Sequence, residues 1–203
     1  MSKPQPQTAA PTTRERILSA AARLFAELGF PSASMPAIAE QSGITAGAIY
    51  RHFDSKAELL LEVVRHALRS PPVSVRAREH GGFDATTLPE VAASYTAADL
   101  KPMRQLSLEV HAAASRDPSV ERLLSEFDEN LTRQLREGIE LAQQQGLVDP
   151  ALDPALSARF YGVLIMGLNH MDTLHPSLVG DPVWREFVSA RVAALLGLSP
   201  PVP

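Results

Sequence analysis

Cysteine is absent from the chain, which excludes disulfide cross-links and thiolate metal sites together. No apolar run approaches the roughly 20 residues that span a bilayer. The opening MSKPQPQTAAPTT holds no hydrophobic segment like that of a signal peptide, so a cytoplasmic location is expected. Strand-like alternation never persists long enough to suggest a sheet, and no internal repeat is visible. Catalytic groupings are also missing: there is no thiol nucleophile, and the six histidines are scattered. His170, Asp172 and His175 invite a metal reading, but two histidines five apart across a helix end do not share a face, so neither metal nor cofactor is expected. An excess of positive charge is lacking too, since the net charge of −4 argues against a general nucleic-acid binder.

What is present is enough for a real core. A chain of 203 residues suits one or two compact domains, and 45% hydrophobic with 21% charged residues is a soluble globular composition. The charge is unevenly placed. Residues 1–69 hold eight Lys or Arg against six Asp or Glu, whereas residues 70–203 hold eleven against seventeen. A mildly positive front and a negative rear suit a head that meets phosphate and a body that does not.

The front reads as helices with explicit punctuation. Thr12 and Glu15 have capping-box spacing, Ile17, Ala21, Leu24, Phe25 and Leu28 form an amphipathic stripe, and Gly29 can end the helix. Ser34 is an N-cap followed by Pro36, which lacks a donor where none is needed. Ile38 and Ala39 face inward, Gly43 tolerates the positive φ of a helix stop, and Ile44 plugs the corner. A second short helix is predicted from about Ala46 to His52, with Ile49 and Phe53 inward and Tyr50, Arg51 and His52 outward. This is helix-turn-helix spacing. Ser55 and Glu58 then cap a further helix running to about Arg69.

The run RERILSAAARLFAELGFPSASMPAIAEQSGITAGAIYRHFDSKAELLLEVV resembles the DNA-binding domain of the TetR family of transcriptional regulators over about residues 14 to 64. The AAxxLFAELGF helix end, the IAEQSGIT turn, the GAIYRHF recognition helix and the FxxKxxL junction occur in register.

The remainder also reads as helical. Asp117-Pro118, Asp153-Pro154 and Asp181-Pro182 each pair an N-cap acid with a proline at the first helical position, and Thr87 with Glu90 has capping-box spacing. Val120, Leu123, Leu124, Phe127, Leu131, Leu135, Ile139 and Ala142 keep helical period until Gly146. Leu156, Phe160, Val163, Leu164, Gly167, Leu168 and Met171 do so from Pro154 to about Leu174, and another helix is predicted near Leu100 to Ser115. The expectation is an all-α protein of about nine helices: a disordered arm (1–12), a three-helix head with helix-turn-helix (13–54), a connecting helix leading into a C-terminal helical bundle (55–198), and a tail (199–203). Ser70 to Thr86 is read as a loop.

Geometry places Thr45, Ala46, Gly47, Ala48 and Arg51 as candidate base readers, with Gln41 nearby. The small Ala46-Gly47-Ala48 surface departs from the polar residue many TetR-like proteins carry near Ala46, so part of the readout would rest on DNA shape. The resemblance implies backbone phosphate contacts from Ser34, Tyr50 and His52, with Lys56 at the start of the connecting helix; His52 can equally cap its own helix. It further implies a homodimer through residues 154–174 and 182–196, where Gly167, Ala158 and Ala190 either allow close crossing or simply pack the core. An effector pocket is expected from Met103, Leu106, His111, Phe127, Phe160, Leu164 and His170. Scarce aromatics point to a small apolar or amphipathic ligand. The expected function is a ligand-responsive regulator, a repressor that binds a palindromic double-stranded operator and is released by that ligand. The alternative is a helical enzyme or ligand-binding protein with a residual helix-turn-helix head.

Overall fold

The computed structural model describes residues 11–69 and 83–198. Among them are ten α-helices: α1 Thr13–Ser32, α2 Met35–Ser42, α3 Ala46–Ile49, α4 Lys56–Arg69, α5 Leu88–Ser94, α6 Lys101–Ala114, α7 Pro118–Gln144, α8 Pro154–Asn169, α9 Met171–Leu174 and α10 Pro182–Leu195. No β-sheet occurs among the described residues. The anticipated arm up to residue 10, the loop over 70–82 and the tail 199–203 lie outside them.

The predicted caps form with few exceptions. Thr12 Oγ1 accepts the Glu15 N–H at 3.2 Å, and the Glu15 carboxylate accepts the Thr12 N–H at 2.7 Å. Ser34, Asp117, Asp153 and Asp181 each accept from a backbone N–H in the first turn of their helices. Such caps satisfy donors that have no intrahelical partner. Thr87 differs: it makes no side-chain cap, and its hydroxyl donates to the Asp84 carbonyl at 2.7 Å. Glu90 is correspondingly free to reach α10, where Ser189 Oγ donates to it at 2.9 Å.

Two corrections concern residues near helix ends, the first beside Gly29, which interrupts its helix where expected. α1 is broken at Gly29, whose φ of 76° with ψ of 161° is accessible only to glycine. Phe30 therefore swings into the core, and Leu28, expected on the buried stripe, is 51% exposed. At the other end of the chain, the helix predicted to reach Leu174 stops at Asn169, and α9 follows as a separate four-residue turn. That turn is the tenth helix where nine were expected.

The break serves an ion pair whose arginine is buried and whose aspartate is partly exposed. Arg104 on α6 is fully buried and directs Nε and Nη2 to the Asp172 carboxylate on α9, at 2.6 and 3.1 Å. Its Nη1 donates to the carbonyls of Tyr95 and Ala97, at 2.6 and 2.8 Å. Three elements are thus joined by one guanidinium.

Two apolar cores result. One gathers Ile17, Phe25, Ile38, Ile49 and Phe53 of the head with Leu59 and Leu60 of α4, and runs on into Leu106 and Val110 of α6 and Val120 of α7. The other lies among α5, the C-terminal half of α7, α8 and α10, around Leu88, Ile139, Ala158, Val188 and Val192. Head and body therefore share packing through α1, α4 and α6.

Arg104→Ala should destabilise the chain by about 3–5 kcal/mol in urea unfolding, because it leaves the Tyr95 and Ala97 carbonyls unpaired and empties the space of a fully buried side chain. The hydrogen bond from Arg104, against an opposing burial effect, holds the Asp172 carboxyl below its ordinary value. The unfolded state therefore binds protons first as pH falls. The stabilisation is complete at neutral pH and fades below about pH 4, the region of an unperturbed aspartate; in Asp172→Asn this component of the pH dependence should disappear.

Candidate DNA interface and effector cavity

The corner between α2 and α3 is built by backbone geometry. Gly43 ends α2 at φ 66°, and its N–H bonds to the Ala39 and Glu40 carbonyls. Arg16 of α1 was not anticipated here: its Nη2 donates to the Ser42 carbonyl at 2.7 Å, placing a cation at the negative end of the α2 dipole. Thr45 caps α3, accepting the Ala48 N–H at 3.3 Å. The helical stretch is shorter than expected. Beyond Ile49 the chain continues as a tight turn, with His52 N–H to Ile49 O at 2.8 Å and Phe53 N–H to the same carbonyl at 3.0 Å.

Phe53 and Ile49 are buried beneath this turn, so its other side faces out. Ser34, Gln41, Thr45, Gly47, Tyr50, Arg51 and His52 are exposed, and Ala46 and Ala48 are half-buried. A Cβ at Gly47 would meet no atom within 4 Å. The surface is consequently low at its centre and polar at its edges. Such a profile permits close approach to a groove floor while leaving few hydrogen-bonding side chains over it.

Lys56 has a task inside the protein. Its Nζ donates to the carbonyls of Phe30 and Pro31, at 2.7 and 3.3 Å, and lies 4.4 Å from the Phe30 ring centroid. Burial holds this ammonium below its ordinary pKa. From the opposite side, the Phe30 N–H donates to the Glu109 carboxylate of α6 at 3.0 Å. The strand of backbone after Gly29 is therefore gripped by α4 and α6 together.

Behind α4 lies an open-mouthed cavity of about 800 Å³ lined by α4, α5, α6, α7 and α8. Met103, His111 and Phe127 line it as expected. Leu106, Phe160, Leu164 and His170 do not. Leu106 is on the other side of α6, buried in the core shared with the head. On α8 the cavity face is Tyr161, Ile165 and Asn169, at a spacing of four. Phe160 and Leu164 are each one position away, about 100° around the helix. Phe160 is 55% exposed, Leu164 packs against the second core, and His170 sits exposed past the helix end.

Several lining residues were missed. Tyr161 and Asn169 carry a readable helical spacing with Ile165, but Tyr95 and the α4 pair Glu62 and Arg65 reach the cavity only through tertiary packing. Burial raises the phenols of both tyrosines above their ordinary range, so both are neutral, and Tyr161 donates to the Leu88 carbonyl at 3.0 Å. Glu62 is bound by Arg14 of the head and by Arg65. Burial pushes its carboxyl up, yet the hydrogen bonds from the two arginines outweigh that and leave it below its ordinary value. One wall of the cavity is thus wired to α1.

A third feature covers the outside of the body. Leu156, Phe160, Val163 and Gly167 form an exposed stripe on α8, with Val163 70% exposed. Val183, Phe187, Ala190 and Ala194 form another on α10, with Val183 74% exposed. Ala158 is fully buried and belongs to the core. Asp172, considered above for metal, is held by Arg104.

An exposed helix-turn-helix corner, a cavity-bearing helical body and a connecting helix common to both define a DNA-binding transcriptional regulator. The chain belongs to the tetR family of bacterial regulatory proteins. The model of that family's N-terminal domain matches residues 17–63, and the model of the BetI-type transcriptional repressor C-terminal domain matches residues 91–197. Escherichia coli (strain K12) HTH-type transcriptional regulator UidR is 32% identical over 163 residues, covering 78% of this chain and 83% of UidR. Salmonella enterica GusR shares the structure with a TM-score of 0.70 at 27% identity, covering 95% of this chain and all of that one. A Rhodococcus TetR-family regulator superposes with a TM-score of 0.74 at 20% identity, over 91% and 98% of the two chains, a likeness of fold. The relatives are regulators of transcription, not enzymes.

Arg16→Ala should cost about 1 kcal/mol in urea unfolding, the loss of a part-buried, charge-assisted hydrogen bond at a helix end. Arg16→Lys should recover only part of it, because an ammonium lacks the planar fork.

Proposed function

We propose that the protein is a repressor that grips a palindromic operator as a homodimer and releases it when a small apolar or amphipathic effector fills the cavity. The observation that carries this reading is the double duty of α4. Its first residue, Lys56, holds the end of α1, while Glu62 and Arg65 line the cavity and Glu62 binds Arg14 of the head. An occupant that displaces α4 or α6 must move the head.

On DNA, the surface around α3 enters the major groove. Thr45, Gln41 and Arg51 supply hydrogen bonds to base edges, and Ala46, Gly47 and Ala48 make close apolar contact. Ser34, Tyr50 and His52 clamp phosphates at the flanks, and the remaining N–H of Lys56 can join them. Two heads must stand about 34–36 Å apart to read successive turns. The two exposed stripes on α8 and α10 supply the means, since their joint burial in a four-helix interface would remove large apolar side chains from water. A regulator acting on DNA in this way would work in the cytoplasm.

The reading is tested by fluorescence anisotropy with a palindromic duplex from the gene's own upstream region, over a salt series. Binding should weaken steeply with salt, and Arg51→Ala should weaken it by about 1–3 kcal/mol. Val163→Arg, on the exposed stripe, should give monomers by light scattering and lose operator binding while the helical content stays intact. A compound found by thermal-shift screening should lower operator affinity; tighter binding in its presence would overturn the repressor reading.

A further inference from the structure

Resting on the cavity as the effector site, we propose that the Tyr95 hydroxyl donates a hydrogen bond to the effector and so selects molecules that carry a neutral carbonyl oxygen, a ketone or an ester, on a largely apolar body. Tyr95 stands at the C-terminal end of α5, where its N–H donates to the Ala92 carbonyl at 3.1 Å and its own carbonyl accepts from Arg104 at 2.6 Å. With the backbone held twice, the side chain lines the cavity and is only 5% exposed. Its hydroxyl has no hydrogen-bond partner among the described residues. The partnerless side-chain atoms there that are also sealed from solvent are Asn169 Oδ1 and Trp184 Nε1. The Tyr95 oxygen is not one of them, so it opens on accessible space, and the space its residue borders is the cavity. Native proteins rarely leave a buried hydroxyl unpaired, and a group that pairs it recovers the lost interaction.

The neighbours restrict what that group can be. Tyr161, the other phenol of the lining, has committed its proton to the Leu88 carbonyl at 3.0 Å, and it lies close enough that a charge on Tyr95 would act on it. Tyr95 therefore holds the uncommitted phenolic proton at the buried end, and what such a proton needs is an acceptor. The buried residues of the lining are all uncharged, whereas its charged members Glu62, Arg65 and Asp128 keep contact with solvent. A carboxylate accepting from Tyr95 would thus be desolvated without a cation to offset it. A ketone or ester oxygen brings lone pairs without that cost. The rest of the molecule lies against Val91, Met103, Leu135 and Ile165.

The test uses 6-propionyl-2-(dimethylamino)naphthalene and its 6-propyl analogue, in which a methylene replaces the carbonyl, each titrated into the full chain by fluorescence. Tyr95→Phe should weaken the ketone about fivefold or more and change the propyl analogue by less than about twofold, the loss of one neutral hydrogen bond. Emission of the bound ketone should shift to the blue in the same variant, because its carbonyl has lost a donor. Ser107→Ala, which removes the other hydroxyl of the lining, should keep the wild-type ratio of affinities. The urea midpoint of Tyr95→Phe should be unchanged or raised, since no bond within the protein is lost, whereas that of Tyr161→Phe should fall. A ratio unaltered by Tyr95→Phe, a ratio lost in Ser107→Ala instead, or a lowered midpoint for Tyr95→Phe would overturn the role of Tyr95. Weaker binding of both probes in Gly162→Phe, whose added ring enters the cavity because a Cβ there meets nothing within 4 Å, would then leave the cavity reading standing. Failure of either probe to bind the wild type, or binding undiminished in Gly162→Phe, would overturn the cavity reading and this inference together.

Discussion

The backbone of Phe30 is held from two sides, and the coupling of head to body depends on it. Its N–H is taken by Glu109 of α6 and its carbonyl by Lys56 of α4. The left-handed turn at Gly29 makes the grip possible, because a Cβ at that position would stand 3.2 Å from the Glu109 carboxylate. Around this point the Phe25 and Phe30 rings pack 5.8 Å apart, and the head core continues without interruption into Leu106 and Val110. α6 is a cavity wall on one side and the seat of the head on the other. Packed interiors transmit displacement because they have little free volume to absorb it.

A second constraint acts at the far end of the body. Arg104 has no water around it, so every donor it carries toward the interior must find an acceptor. The Tyr95 and Ala97 carbonyls and Asp172 meet that demand. α8 stops at Asn169, and Asp172 on the separate turn after it meets Arg104. α8 is then asked to serve three surroundings at once: Ala158 and Leu168 in the core, Tyr161 and Ile165 at the cavity, and Leu156 and Val163 facing outward. A helix apolar on nearly all sides is the result, with Leu156 and Val163 left exposed.

Much of the head was legible in the residues because its signals are local. Ser34, Gly43 and Thr45 act on backbone groups within three or four positions, so spacing alone predicted the turn. The same holds for the Asp-Pro helix starts. The cavity was less legible. Phe160 and Leu164 share the apolar character of Ile165, and a stripe wide enough to face three neighbours does not say which residue faces which. Leu28 failed for a related reason: helical period predicted burial, but the chain leaves the helix one residue later.

The order of the main helices, most of their N-caps and the exposed surface around Arg51 were readable in the residues, since each follows from short-range hydrogen bonding and from the polarity of neighbouring positions. That Lys56 closes the head, that Arg16 caps α2 and that Glu62 joins cavity to α1 emerged only from how distant helices pack. These contacts connect residues 26 to 48 positions apart, and such a separation is not encoded in any local window of the chain.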